Sequence, residues 1–146
     1  MPTVIEKLVK VQPVVEEGVL AGAVAALVSG VPSTAWALAT GGDPLEATVA
    51  AGSLLLPRET RRGRLVAAAI PVHLTLSLGW GVVLARLLPR RRTTLWGALA
   101  SVGIAALDFG VVGRRFPRVR ALALAPQVAD HVAYGATVGY VLERLR

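Results

Sequence analysis

The chain has two histidines, His73 and His131, and each opens the same pattern, H-x7-G-x-V-L-x-R-L, over residues 73–87 and 131–145. Imidazoles at matched positions on two helices are the geometry that clamps a haem iron between them, and they also suit a proton relay or a polar substrate site. Asp130 stands beside His131, with Gln127 and Tyr134 one turn away on either side, so this is the densest polar cluster in the sequence. Gly135 lies one turn beyond His131 and Ser77 holds the matching place beyond His73, which would leave room for a flat macrocycle. Two nitrogen ligands alone do not complete a zinc site, although Asp108 or Asp130 could be recruited to it. A plainer role is open to the same residues: a duplicated packing histidine, each copy bonding a backbone carbonyl or an aspartate. Asp108 lies six and seven residues before Arg114 and Arg115, a spacing that predicts a snorkelled structural ion pair near the end of a helix.

The elements that must hold these residues are apolar. The 146 residues are 54% hydrophobic with a mean hydropathy of +0.61, and the +7 net charge falls in short clusters between long uncharged runs. That balance is too greasy for a soluble domain of this size. Crossing about 30 Å of hydrocarbon takes roughly 20 mostly apolar residues in helix, since unpaired backbone groups are not tolerated in lipid. Four stretches qualify, with spans over about 18–40, 65–88, 93–113 and 121–143, so the expected fold is an all-α, multi-pass bundle in a cell membrane with no separate soluble domain.

Two further segments flank the spans. Asp43, Pro44 and Glu46 read as a helix start and Pro57 as its stop, which predicts a short helix over 44–56, too short to cross and therefore interfacial or re-entrant. Residues 3–17, where Val4, Ile5, Leu8, Val11 and Val15 alternate with Glu6, Lys7, Lys10 and Glu16, form an amphipathic segment that Pro13 should disturb. The small residues Ala37 and Ala39 also resemble a cleavage site after an apolar core, which would make the first span a signal; the later spans keep the chain polytopic either way. Four spans leave eight Lys and Arg on each side, a tie that sets no orientation; if 44–57 crossed, the split would be ten to six with the amino end cytoplasmic.

The histidine pattern repeats at an offset of 58 residues, and residues 20–25 match residues 95–100 at an offset of 75. The difference is about the size of the 44–57 segment, so the four spans read as two duplicated helix pairs with an insertion in the first copy. Small-residue stripes at Gly18, Gly22, Ala26 and Gly30, at Ser77 and Gly81, at Gly97 and Ser101, and at Gly135 and Gly139 predict close helix packing or homo-oligomerisation. Pro32, Pro71 and Pro126 either start or kink their helices, and a kink frees a carbonyl.

Chemistry of other kinds is restricted. With no cysteine the chain has no disulfide, thiolate metal site or cysteine nucleophile. It carries no phosphate-cradling, zinc-protease or serine-hydrolase signature. Its arginine clusters hug the span ends without interleaved aromatics, so anionic lipid headgroups are the expected partner and nucleic acid is not. The leading functional expectation is an accessory or scaffold subunit of a larger membrane complex. Its rivals are a transporter or channel-like protein with a polar site between the second and fourth spans, and a bis-histidine haem electron carrier.

Overall fold

The computed structural model describes residues 4–146, and it is helical with no strand among them. The chain runs through α1 (Val4–Val28), α2 (Val31–Thr40), the short α3 (Glu46–Leu55), α4 (Arg62–Leu87) and α5 (Thr93–Leu107). A π-helical turn, Asp108–Val112, follows α5 and leads through α6 (Gly113–Arg115) and α7 (Pro117–Arg120) into α8 (Leu124–Leu145). Three helical stretches are long and apolar enough to cross a membrane: Gln12–Thr40, made of α1 and α2 together, Arg62–Leu87, and Thr93–Arg115. The fourth expected span, α8, is less apolar because Gln127, Asp130, His131 and Tyr134 occupy its first three turns.

Proline placement explains most helix boundaries. Pro32 and Pro126 lie in the first turns of α2 and α8, where a missing N–H costs nothing. Pro13 and Pro71 lie inside α1 and α4, which continue through them. The disturbance expected at Pro13 is therefore absent, since α1 runs through it. The amphipathic alternation of residues 4–11 lies outside the described side chains. At the far end of α2 the chain turns back through Gly41, whose φ of 72° is left-handed and suits glycine.

The short helix is anchored at both ends of its hairpin. Asp43 accepts a hydrogen bond from the Leu45 N–H at 2.9 Å, and its two carboxylate oxygens each take a guanidinium N–H of Arg62 at 2.6 Å. Thus Asp43 closes the turn before α3 and ties it to the first residue of α4, where the sequence pointed to a helix cap. Gly52 seats α3 on α4, since a Cβ there would run into the backbone of Leu65. The Arg62 hydrogen bond, helped by the Leu45 N–H, holds the Asp43 carboxyl below its ordinary value of 3.8. A depressed acid stabilises the fold above that ordinary value and loses its contribution as pH falls through the lower folded one. The protection of the α3 amides, taken relative to the intrinsic exchange rate at each pH, should therefore fall on acidification below about pH 4 in the natural protein. In Asp43→Asn that protection should already be lower at neutral pH and show no step in that window.

The main helices pack in the order α4, α1, α8, α5. Both outer pairs meet through small residues at their backbones. Gly18 and Gly22 of α1 lie against Ser77, Leu78, Gly81 and Val82 of α4; Thr93, Gly97 and Ser101 of α5 lie against Gly135 and Gly139 of α8. Between the pairs, Ala21, Ala25, Leu84, Ala85, Ile104, Tyr134, Val138 and Leu142 form a shared core. Large apolar side chains instead face outward, Leu27 and Leu87 most of all, as in a protein whose solvent is lipid. At one end of the bundle Arg146, its side chain only 8% exposed, pairs with Glu17 at 2.9 Å and donates to the Ala85 carbonyl, so α8, α1 and α4 are joined there.

Candidate functional site: a break in the first span

The polar residues gather around a break in the first apolar stretch. Pro32 cannot donate to the carbonyl four residues back, Val28, and its ring crowds that carbonyl. The helix accordingly stops at Val28, passes through Ser29 and Gly30, and resumes as α2 at Val31. A break leaves unpaired carbonyls before it and unpaired N–H groups after it, and inside a membrane water is not there to meet them.

Two other helices supply the missing partners. Before the break, the carbonyl of Ala26, whose in-helix donor would be the Gly30 N–H, lies 2.9 Å from Nε2 of His73 on α4. Carbonyls only accept, so this contact requires the proton on Nε2. After the break, the N–H of Ser33 donates to Oδ1 of Asp130 on α8 at 2.8 Å, across 97 residues of sequence. Asp130 thereby acts as an N-cap delivered from another helix, with its negative charge at the positive end of the α2 dipole. A donor caps the carbonyl end and an acceptor caps the N–H end.

His131, one residue on, faces the other way. Its Nδ1 donates to the carbonyl of Gln127 at 2.8 Å and its Nε2 lies 2.9 Å from Oδ2 of Asp108 in the π-turn. Phe109 stands edge-on to the imidazole, ring centroids 6.3 Å apart. Both ring nitrogens thus face oxygen acceptors. Tyr134 reaches across to α4, where its hydroxyl donates to the Ser77 carbonyl.

Several expectations change against this geometry. The ion pair of Asp108 with Arg114 or Arg115 does not form; among the described residues Asp108 pairs with His131. Six residues put Arg114 on the far side of a helix, and the wider π-turn rotates Arg115 off the Asp108 face as well. The two imidazoles do not face one another. His73 and Asp130 meet the first span seven residues apart, about 10 Å along it at helical rise, and each Nε2 is taken by a different partner. The space expected for a macrocycle is filled, because Ser101 and Gly97 occupy the surroundings of Gly135, and Gly22 packs against Ser77. These residues therefore do not fit a bis-histidine haem. Among the described residues no three metal-ligating side chains converge. Gln127 enters the site through its carbonyl alone, and Ser77 likewise.

Sequence reading missed Ser33 and Ala26, which contribute backbone groups and so carry no side-chain signal. Pro32 was the available clue. Glu143 was missed as well: it receives the Thr94 N–H at 2.9 Å and the Thr94 hydroxyl at 2.8 Å, capping the start of α5 from α8. No family model matches the chain, and no curated protein or solved structure shows significant similarity to it.

Proposed function

We propose that the chain is a four-span scaffold or accessory subunit of a membrane assembly, with α8 as the fourth span and α3 lying at the interface. The observation that carries this reading is where the polar groups go: His73, Asp130, His131, Asp108 and Tyr134 are each engaged in holding one helix of the bundle to another or to its own backbone. Ionisable residues within spans need partners or a purpose, and here the partners are internal. The two outer helix pairs are duplicates in this reading. Shifting α1 by 75 residues and α4 by 58 turns the contact of Gly22 with Ser77 and Gly81 into that of Gly97 with Gly135 and Gly139, and the contact of Gly18 with Gly81 into that of Thr93 with Gly139. Homo-oligomer formation through the remaining lipid-facing surface and residence in a cell membrane belong to the same proposal.

One feature favours a second reading, a proton-linked transporter. Broken spans with titratable residues at the break are the usual form of a transporter's ion site, and here the break stands between His73 and Asp130. Proteoliposomes holding the purified protein separate the two. Under the scaffold reading, proton and potassium leak at pH 5.5 to 7.5 equals that of protein-free vesicles. Flux above that background, abolished by Asp130→Asn, overturns the scaffold and establishes the transporter.

A further inference from the structure

We infer that a second copy of this chain covers the outer faces of α4 and α5, the α5 of each copy seated on the α4 of the other as α1 is seated on α8 within one copy. The inference deepens the scaffold proposal and rests on its reading of the two helix pairs as duplicates. Duplicated pairs carry the same surfaces twice. Each pair closes through its glycine faces, and the two pairs then meet through different ones: the side of α1 with Ala21 and Ala25 against the side of α8 with Tyr134, Val138 and Leu142. Such a contact is heterologous, since unlike faces of like units meet. It uses one α1-type face and one α8-type face and leaves one of each over. A shift of 75 residues puts the spare α1-type face on α5, at Trp96 and Ala100. A shift of 58 puts the spare α8-type face on α4, at Leu76, Trp80 and Leu84, with Val83 and Leu87 standing where Val141 and Leu145 stand on α8.

Burial differs between the two sets as this arrangement requires. Ala21, Ala25, Val138 and Leu142 are completely buried, and Tyr134 nearly so. Their counterparts and the flanking residues lie open: Trp96 is 49% exposed, Leu76 46%, Val83 36% and Leu87 74%, while Trp80 and Ala100 are part-buried. Leu84 alone of the set is already covered, in the core shared with α8. The counterparts of the Glu17–Arg146 pair are Arg92 and Leu88, so the second contact is apolar and holds no such ion pair. An apolar face gains nothing merely by leaving lipid, so close fit selects its neighbour. The complement of an α1-type face is an α8-type face, as the contact within the chain demonstrates. α4 and α5 stand at opposite ends of the helix row, so the spare complement comes from another copy. In a two-fold dimer the contact forms twice, α4 on α5 and α5 on α4, and no repeat face is left uncovered.

Disulfide trapping in proteoliposomes tests the contact without background, because the chain has no cysteine. Glu17 opposite Arg146 sets α1 antiparallel to α8 with Ala21 level with Leu142. The same register sets Trp96 level with Leu84 and its outward neighbour Val83 on the second copy. Chains carrying Trp96→Cys and chains carrying Val83→Cys, told apart by tag length, are reconstituted together and oxidised. Bridged Cα atoms lie within about 7 Å of one another. The mixed dimer should therefore form with this pair and be lost when Leu95→Cys, turned about 100° around the helix, replaces Trp96→Cys. Photobleaching of the natural chain, labelled at its amino terminus in the same vesicles, counts the copies per particle, and two are expected. Two copies with no mixed dimer, or with equal trapping by Leu95→Cys, overturn the contact of α4 with α5 and leave an oligomeric scaffold standing. Single copies overturn both. If Trp96→Cys does not fold, Ala100→Cys takes its place, and the same outcomes decide.

Discussion

Leucine in place of Gly135 should force α5 and α8 apart and sharply lower the melting temperature of the detergent-purified protein. The reason is what a side chain would meet. Even a Cβ at Gly135 would collide with the Ser101 side chain and with the Gly97 carbonyl oxygen, and the reciprocal position is as tight, with Gly135 backbone against Gly97. Ser101 is fully buried and cannot swing away, and the backbone of a helix cannot yield as a flexible side chain does. Overpacking of this kind costs about 1–3 kcal/mol in ordinary cores and occasionally more. In lipid the expelled helix has no hydrophobic force driving it back, so the penalty translates into separation. Leucine at Gly103 on α5 or Gly79 on α4 is the matched control, because a Cβ at either position meets nothing within 4 Å. Both controls should melt like the natural protein. Equal melting of Gly135→Leu and Gly103→Leu would mean that the α5 and α8 backbones are not in contact.

How far the sequence reached is visible in these same residues. Helical spacing marked Gly18, Gly22, Ser77, Gly81, Gly97, Ser101, Gly135 and Gly139 as packing stripes, because periodicity within one helix is a local property. Which stripe meets which was not local. The spacing of Gly18, Gly22, Ala26 and Gly30 predicts a stripe that runs through Gly30, yet Gly30 has nothing within 4 Å of an added Cβ. It lies in the break that Pro32 imposes two residues later. The short helix was expected over 44–56 and spans Glu46–Leu55, since Asp43 closes the preceding turn instead of capping the helix. Asp130 and His131 stood out by type, but their partners did not. One partner is a backbone N–H made available only by the missing rung at Pro32, and the other, Asp108, is 23 residues away across a π-turn. Residue type predicts that a buried carboxylate must find a donor; only the packing of helices determines which one.

That dependence makes Asp130→Ala the sharpest test of the break itself. Without the carboxylate, the Ser33 N–H has no acceptor on its own helix, because the residue four back lies in the interrupted segment. An unpaired buried N–H costs about 1–3 kcal/mol, the same order as losing a strong N-cap. Hydrogen exchange at Ser33 and through α2 should therefore speed by roughly one to two orders of magnitude, while α3, held by Asp43 and Arg62, keeps its natural rate. Asp130→Asn retains an amide oxygen at the same place and should restore most of the protection. His73→Ala removes the donor on the other side and exposes the Ala26 carbonyl, a milder loss because under-satisfied carbonyls are better tolerated than orphaned N–H groups. Alanine at Asp130 should thus outweigh alanine at His73, and the reverse order would show that Asp130 is not the cap. The double variant then decides whether the break is one structure or two. If His73 and Asp130 clamp a single hinge, their effects fall short of additive, since the first loss already frees what the second was holding; strict additivity would mean that each cap secures its own half-helix and the break has no collective motion to control.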